Sequence, residues 1–178
     1  MKRPCPPSPS LRSERLLIDR FTAADAPAVL ALVNDPGWLT YIGDRDIHSV
    51  VAAEAYLEDS AASAPPGMGL FAIRRGKEVL GMCSLLQREY LEDPDLGFAL
   101  LADHVGQGYA AEASRLVIDY AFDTLGVASL SAITLPENRS SIALLERLGF
   151  HSEGLVDNGT ESLCHFRLRC SPAGSPAS

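Results

Sequence analysis

Two glycines separated by one residue lie directly ahead of a predicted helix. Gly106-Gln107-Gly108 is followed by a helical pattern from Tyr109 to Leu125. Two glycines let the backbone turn tightly and approach a ligand, and a helix start leaves amide N–H groups unpaired at the positive end of its dipole. This arrangement suits a pyrophosphate without any lysine. The residues would equally serve a loop that only has to turn, because a lone G-x-G is a weak signal.

Composition excludes several classes of partner. The 178 residues carry 15 Lys and Arg against 23 Asp and Glu, a net charge of −8. Such a chain lacks the basic face that nucleic acid requires, and no apolar run is long enough to span a bilayer. The four cysteines form no C-x-x-C pair, and prolines occupy the place of a signal sequence. We expect one cytoplasmic domain without metal, nucleic-acid or membrane partner, as a monomer or a homodimer.

The hydrophobic pattern predicts one mixed α/β domain over residues 11–170 between two disordered tails, residues 1–10 and 171–178, that are rich in Pro, Ser and Ala. Predicted strands cover 16–18, 70–73, 79–86, 96–101, 130–135, 151–156 and 162–169, and predicted helices cover 26–34, 47–60 and 109–125, with a last helix that ends before Gly149. No repeat or second domain is indicated.

A predicted loop from Trp38 to Arg45 contains the only tryptophan and, three residues later, Tyr41. Aromatic residues in a connection between helices suit the wall of a substrate pocket. They suit equally a loop that packs onto the core. Both interpretations of Trp38 and Tyr41 stay open at this point.

Four short motifs carry a family resemblance. Residues 106–113 (GQGYAAEA) look like G-K-G-Y-A-T-E-A, 138–141 (NRSS) match N-x-x-S, 144–150 (LLERLGF) match L-E-K-L-G-F, and 13–18 (SERLLI) are similar to T-E-R-L-x-L. In this order and spacing they resemble the GNAT superfamily of acetyl-coenzyme-A-dependent N-acetyltransferases, and within it the RimJ/RimL-type branch. The resemblance covers nearly all of residues 11–169.

The resemblance implies a GNAT-like fold, a mixed sheet of about seven strands flanked by helices, with two central parallel strands splayed apart. It implies transfer of an acetyl group from acetyl-CoA directly to a primary amine, which belongs either to a protein N-terminus or to a small molecule. The acidic chain favours a cationic acceptor. The implied coenzyme-binding residues are Phe98, Leu100, Gly106, Gln107, Gly108, Tyr109, Ala110, Asn138, Arg139 and Ser141.

Acetyl transfer to an amine sets three requirements. The amine must lose a proton, negative charge on the carbonyl oxygen needs a donor, and the departing thiolate needs a proton or hydrogen bond. A backbone N–H near Leu100 or Leu101 is expected to serve the oxygen. Many superfamily members supply a tyrosine for the thiolate, but here that position is Leu145. The resemblance instead implies Ser141, because the serine of N-x-x-S in the RimJ/RimL-type branch is expected to meet the thiol sulfur. Ser141 and Asn138 would alternatively only cap a helix.

The base has several candidates. Glu89, Asp93, Asp95 and His104 all lie near the strand that precedes the glycine loop, and Asp95 opens that strand. We favour Asp95, with removal of the proton through water as the alternative. A second function class is a coenzyme-A-binding regulatory module without turnover, suggested by the missing tyrosine. A dinucleotide-dependent oxidoreductase is disfavoured, because the motif is one glycine short.

Overall fold

The computed structural model describes residues 9–171, so the predicted tails lie outside the described residues except for positions 9, 10 and 171. The strands are β1 Leu11–Arg12, β2 Leu17–Arg20, β3 Gly69–Arg75, β4 Glu78–Leu86, β5 Asp95–Leu100, β6 Ser129–Thr134, β7 His151–Asp157 and β8 Ser162–Arg169. The helices are α1 Ala26–Val33, α2 Pro36–Tyr41, α3 Val50–Ser63, α4 Tyr109–Asp119 and α5 Arg139–Arg147.

The eight strands form one sheet in the order β1-β2-β3-β4-β5-β6-β8-β7. All neighbours are antiparallel except β5 and β6, which are parallel. The predicted mixed α/β fold is therefore confirmed, with one strand more than expected. The additional strand is β1, whose Leu11 pairs with Ile18 across a tight connection.

The two parallel strands diverge almost from their first residue. Only Asp95 and Ser131 are in register, and the Ser131 amide donates to the Pro94 carbonyl at 2.8 Å. On their other edges β5 pairs with β4 from Asp95 to Leu100, and β6 pairs with β8 along its whole length. Each strand is held from outside, so the gap between them stays open toward their carboxyl ends.

Helices cover both faces of the sheet. The α4 and α5 face packs a core around Phe71, Val117 and Leu130, all fully buried. The opposite face packs α1 to α3 around a second core that includes Val29 and Met82. Adjacent residues of a strand point to opposite faces, so β4 contributes to both cores. This packing fixes the outer side of each diverging strand.

The expectation of a loop over residues 38–45 is wrong for residues 38–41, because these residues belong to the short helix α2. Pro36 occupies its first turn, where no N–H is needed, and the Asp35 side chain accepts a hydrogen bond from the Gly37 amide at 2.9 Å. The helical turn carries Trp38 into the core, where it is 5% exposed. The cap made by Asp35 and Pro36 is a local signal that could have predicted this helix.

The helix predicted for residues 109–125 also differs. Regular α4 ends at Asp119, and one wider π-type turn, Tyr120–Thr124, completes it. The Tyr120 hydroxyl donates to the Gly67 carbonyl at 3.0 Å. The end of this helix is thus tied to the segment that leads into β3.

A buried arginine joins the first strands to α1. Arg74 donates from Nε to Asp19 at 2.6 Å and from both terminal nitrogens to Asp25 at 2.7 Å. The hydrogen bonds from Arg74 lower the pKa of Asp25 below its ordinary value of 3.8, although burial opposes this. A lowered pKa in the folded state means that the charged form stabilises the fold.

We predict that Asp25→Asn lowers the free energy of unfolding by about 2–3 kcal/mol at pH 7, because Arg74 loses its bidentate partner. Since the folded pKa of Asp25 is lowered, its contribution is complete above the unfolded value and is lost as the pH falls through the folded value. Urea denaturation from pH 7 to pH 3 should show the two proteins converging below about pH 4. The control is Asp119→Asn, an exposed carboxylate that ion-pairs with no described residue.

Candidate functional site

The gap between β5 and β6 leads into a cavity of about 700 Å³. Both strands line it, β5 from Asp95 to Leu100 and β6 from Ala132 to Thr134. From the α4 and α5 face it is lined by Gly106, Gly108, Tyr109, Ala110, Asn138, Ser140, Ser141, Leu145 and Arg147, and from the other face by Trp38, Tyr41, Ile42, Arg45, Tyr56, Met82, Ser84, Arg88 and Tyr90. The cavity is thus open to both faces of the sheet and has room for two small ligands or parts of ligands.

The glycine loop presents unpaired amides at one end of this cavity. Gly106 and Gly108 have φ angles of +82° and +83°, a conformation that other residues rarely adopt. Among the described residues, none accepts a hydrogen bond from the amides of residues 106–108. A Cβ added at Gly106 would meet nothing within 4 Å. The loop therefore has the open, donor-rich surface that the sequence predicted for an anion.

Arg15 holds this loop in place from the strand side. Its Nε donates to Glu112 at 2.7 Å and its Nη1 donates to the Gln107 carbonyl at 3.0 Å. Ser13 donates to the other oxygen of Glu112. Partial burial raises the pKa of Glu112, and the hydrogen bonds from Ser13 and Arg15 outweigh that effect and lower it. The motif at residues 13–18 and the glycine motif at residues 106–113 are therefore joined into one structural unit.

Tyr109, the first residue of α4, is held between two arginines. Its ring centroid lies 4.6 Å from Arg15 and 5.7 Å from Arg75, whose Nη1 donates to the Tyr109 hydroxyl at 2.7 Å.

His104 lies 3.4 Å from Glu78 at the same end of the sheet and does not line the cavity. His104 is therefore not placed to take a proton from the amine.

The free edge of β5 exposes alternate backbone groups to the gap. The Leu101 amide donates to the Leu80 carbonyl at 3.0 Å, so it points toward β4. The expectation that Leu101 could serve the carbonyl oxygen is therefore wrong. Since amides along a strand alternate in direction, those of Phe98 and Leu100 point to the opposite edge, where no strand pairs with them.

Asn138 and Ser141 begin α5 at the cavity wall. Asn138 Oδ1 accepts from the Ser141 amide at 3.2 Å and from the Ser140 hydroxyl at 3.1 Å, which is the helix cap that the sequence allowed. The Ser141 hydroxyl itself has no hydrogen-bond partner among the described residues. Leu145 lines the cavity one turn later.

Two of the predicted coenzyme residues lie outside the cavity lining. Arg139 is exposed at the start of α5, and the Gln107 side chain donates to the Asp103 carbonyl at 3.1 Å. The other eight predicted coenzyme residues line the cavity. Spacing along the sequence could not separate these two from their neighbours, because it does not show which way a side chain points.

Asp95 alone of the four candidate bases lines the cavity. It is 2% exposed, and Arg88 donates to it from Nε at 2.8 Å. Burial raises the pKa of Asp95, and the charge and hydrogen bond of Arg88 oppose this rise. Asp93 instead pairs with Arg167 at 2.9 Å, and Glu89 is exposed.

The sequence identified only part of the wall opposite α4 and α5. Trp38 and Tyr41 do line the cavity, the first buried and the second 39% exposed. Arg45, Tyr56 and Tyr90 line it as well and carried no motif. They come from separate segments that only the folded sheet brings together.

Residues 15–151 match the family described as the Acetyltransferase (GNAT) domain. The chain belongs to the GNAT family. A Bacillus subtilis protein named as the uncharacterized N-acetyltransferase YoaA is 28% identical over 163 residues, which are 85% of this chain and 91% of that protein. GNAT acetyltransferases use acetyl-CoA as cosubstrate.

Solved structures share the fold. An acetyltransferase from Agrobacterium tumefaciens superposes with a TM-score of 0.76 at 30% identity, covering 91% of this GNAT chain and 95% of that one. The Salmonella typhimurium acetyl transferase that modifies the N-terminal serine of 50S ribosomal subunit protein L7/L12 has a TM-score of 0.76 at 15% identity, with 89% and 97% covered. At that identity the second comparison shows the fold alone.

Within residues 9–171 of this GNAT chain, no group of His, Cys, Asp and Glu is arranged to hold a metal ion. No helix in the same range is long and apolar enough to cross a membrane.

We predict that Arg15→Met loosens the glycine loop, because Glu112 and the Gln107 carbonyl both lose a donor. Hydrogen exchange at the Glu112 amide, which donates to the Gly108 carbonyl at 3.1 Å, should quicken about tenfold, while exchange in β3 and β4 stays as in the wild type. The control is Arg12→Met, an exposed arginine of β1 whose side chain makes no hydrogen bond or ion pair with a described residue. Equal exchange in all three proteins would mean that Arg15 does not order the loop.

Proposed function

We propose that this GNAT domain transfers the acetyl group of acetyl-CoA to a primary amine, and that it does so in the cytoplasm. The observation that carries the proposal is the cavity between β5 and β6, with unpaired amides at one end and a separate polar wall on the other face of the sheet. A donor can enter from one face and an acceptor from the other. Acetyl-CoA supplies, when bound, an activated acetyl thioester.

The residues at the loop end fit a coenzyme A pyrophosphate. Its charge matches the free amides of residues 106–110 and the positive end of α4. The open surface at Gly106 leaves room for the phosphate oxygens. The unpaired amides of Phe98 and Leu100 suit the amide groups of the pantetheine arm, which would bind as an added strand does. Asn138 and Ser141 flank the same channel.

The chemistry needs three groups from the protein. Asp95 accepts a proton from the acceptor amine, directly or through water, and its raised pKa favours this role. A backbone amide at the free edge of β5 donates to the carbonyl oxygen as negative charge develops there. The Ser141 hydroxyl donates to the sulfur as the carbon–nitrogen bond forms and the carbon–sulfur bond breaks. No covalent intermediate with the protein is required.

The acceptor presents a primary amine, and two sources have support. The motifs resemble those of the RimJ/RimL-type branch, which supports a protein N-terminus, and so does the L7/L12-modifying enzyme that shares the fold. The net charge of −8 supports a small cationic amine instead. Trp38 and Tyr41 would contact either acceptor.

We predict that Gly106→Asp lowers the affinity for acetyl-CoA at least about tenfold, because a carboxylate then faces the phosphates. The matched control is Gly76→Asp in the turn between β3 and β4. Gly76 has a φ angle of +62° and, like Gly106, has open space around its added Cβ, so both variants carry the same backbone strain. Isothermal titration calorimetry measures the affinities.

A Gly106 variant that binds acetyl-CoA as tightly as the wild type would refute the assignment of the loop. Equal loss in both variants would show that strain, and not charge at the phosphates, causes the effect.

We predict that Ser141→Ala lowers kcat for thiol release about tenfold and leaves the acetyl-CoA dissociation constant within about twofold, because the hydroxyl acts on the departing sulfur. Thiol release from acetyl-CoA is measured with a panel of primary amines. A wild-type protein that binds acetyl-CoA but releases no thiol with any amine would instead be a coenzyme-A-binding regulatory module. An unchanged kcat in the variant would leave Ser141 with only a structural role.

A further inference from the structure

The wall of the cavity on the α1 to α3 face has a chemistry of its own. We call it the acceptor wall and define it by six lining residues, Trp38, Tyr41, Arg45, Tyr56, Arg88 and Tyr90. They come from α2 and the segment after it, from α3, and from the connection between β4 and β5. Three of them are tyrosines, so the wall combines apolar ring surface with hydrogen-bonding groups.

Arg88 and Asp95 form an ion pair that still has free donors. Only Nε of Arg88 is used, at 2.8 Å from Asp95, and no described residue accepts a hydrogen bond from its terminal nitrogens. The Arg88 side chain is 32% exposed, whereas that of Asp95 is 3% exposed. The pair therefore presents cationic N–H donors beside an anionic carboxylate, both facing one small volume.

Arg45 adds a second positive charge to this wall. It is exposed, lines the cavity, and makes no ion pair or hydrogen bond with a described residue. Burial raises the pKa of Tyr56, and the positive charges of Arg45 and Arg88 oppose that rise. Tyr56 and the two guanidinium groups line the same cavity.

Trp38 supplies a further unsatisfied donor. Its side chain is 5% exposed, and its Nε1 is buried without an acceptor among the described residues. A buried N–H of this kind costs free energy unless an acceptor meets it. Among the described residues, Glu161 is the only carboxylate besides Asp95 that lines the cavity, and it lies in the turn between β7 and β8. The six residues of the acceptor wall include no carboxylate, so the polar groups that the wall offers to an anion are N–H and O–H donors.

We propose that the acceptor is an amine with a carboxylate beside it, an α-amino acid. Its carboxylate binds the free nitrogens of Arg88 and Arg45, a geometry for which planar guanidinium groups are well suited. Its amine lies next to Asp95 at the point where β5 and β6 diverge, and its side chain contacts the tyrosines. A peptide N-terminus lacks the adjacent carboxylate and would leave Arg45 and the terminal nitrogens of Arg88 without an anionic partner. This inference rests on the proposed acetyl transfer.

The test compares each L-amino acid with its own primary amide as acceptor. The amide keeps the amine and the side chain but has no negative charge. We expect kcat/KM for at least one amino acid to exceed that of its amide by about tenfold or more. The amide has the less basic amine, so it is less protonated at neutral pH, and a preference for the acid cannot come from amine basicity.

The variant that assigns the preference is Arg45→Met. Arg45 is exposed and pairs with no described residue, so its loss leaves no buried charge behind. We expect the ratio of acid to amide to fall about tenfold, mainly through KM for the amino acid, with unchanged affinity for acetyl-CoA. The control is Arg115→Met on α4, an exposed arginine that does not line the cavity.

The outcomes separate this inference from the proposed function. Thiol release with amides or with peptide N-termini at rates equal to or above those of free amino acids would overturn the inference and leave acetyl transfer standing. An acid preference that survives in the Arg45 variant would overturn the role of Arg45. Absence of thiol release with every amine would overturn the proposed function itself.

Discussion

The structure depends on the divergence of β5 and β6. Parallel neighbours normally pair along their length, but here only Asp95 and Ser131 are in register. Both strands keep their pairing on the outer edge, with β4 and β8, so the sheet remains continuous while its centre opens. Unpaired backbone groups are costly in a dry interior, and the gap is instead lined as a cavity. The opening that would weaken an ordinary sheet is here the proposed binding site.

The opening also explains why the two halves of the chain contribute different parts of the cavity wall. The segment from β5 through α5 supplies the glycine loop, the free strand edge and Ser141, all suited to a coenzyme. The earlier segment, through Tyr90 in the connection between β4 and β5, supplies the opposite wall, and its Arg15 donates to Glu112 beside the loop. Loop order and strand position are therefore coupled, because one arginine joins them.

Charge at the site differs from charge on the chain. The chain is acidic overall, with a net charge of −8. The cavity nevertheless holds two arginines on the acceptor wall, and Asp95 is already paired with one of them. Net charge describes the field far from the protein, whereas a bound group meets only the charges within a few ångströms. The part-buried pair of Arg88 and Asp95, which keeps free donors, therefore suits a small zwitterion that the overall charge would not suggest.

The sequence by itself determined the order of strands and helices, the glycine loop and the family, because these depend on residues close together along the chain. The helix at Pro36–Tyr41 had a local signal in Asp35 and Pro36 that was missed. Local pattern did not determine the direction of the Leu101 amide or the side-chain positions of Gln107 and Arg139. Only the tertiary structure decided the acceptor wall, since Arg45, Tyr56 and Arg88 come from separate segments. Their meeting depends on how three helices pack against one face of an open sheet, which no short-range spacing encodes.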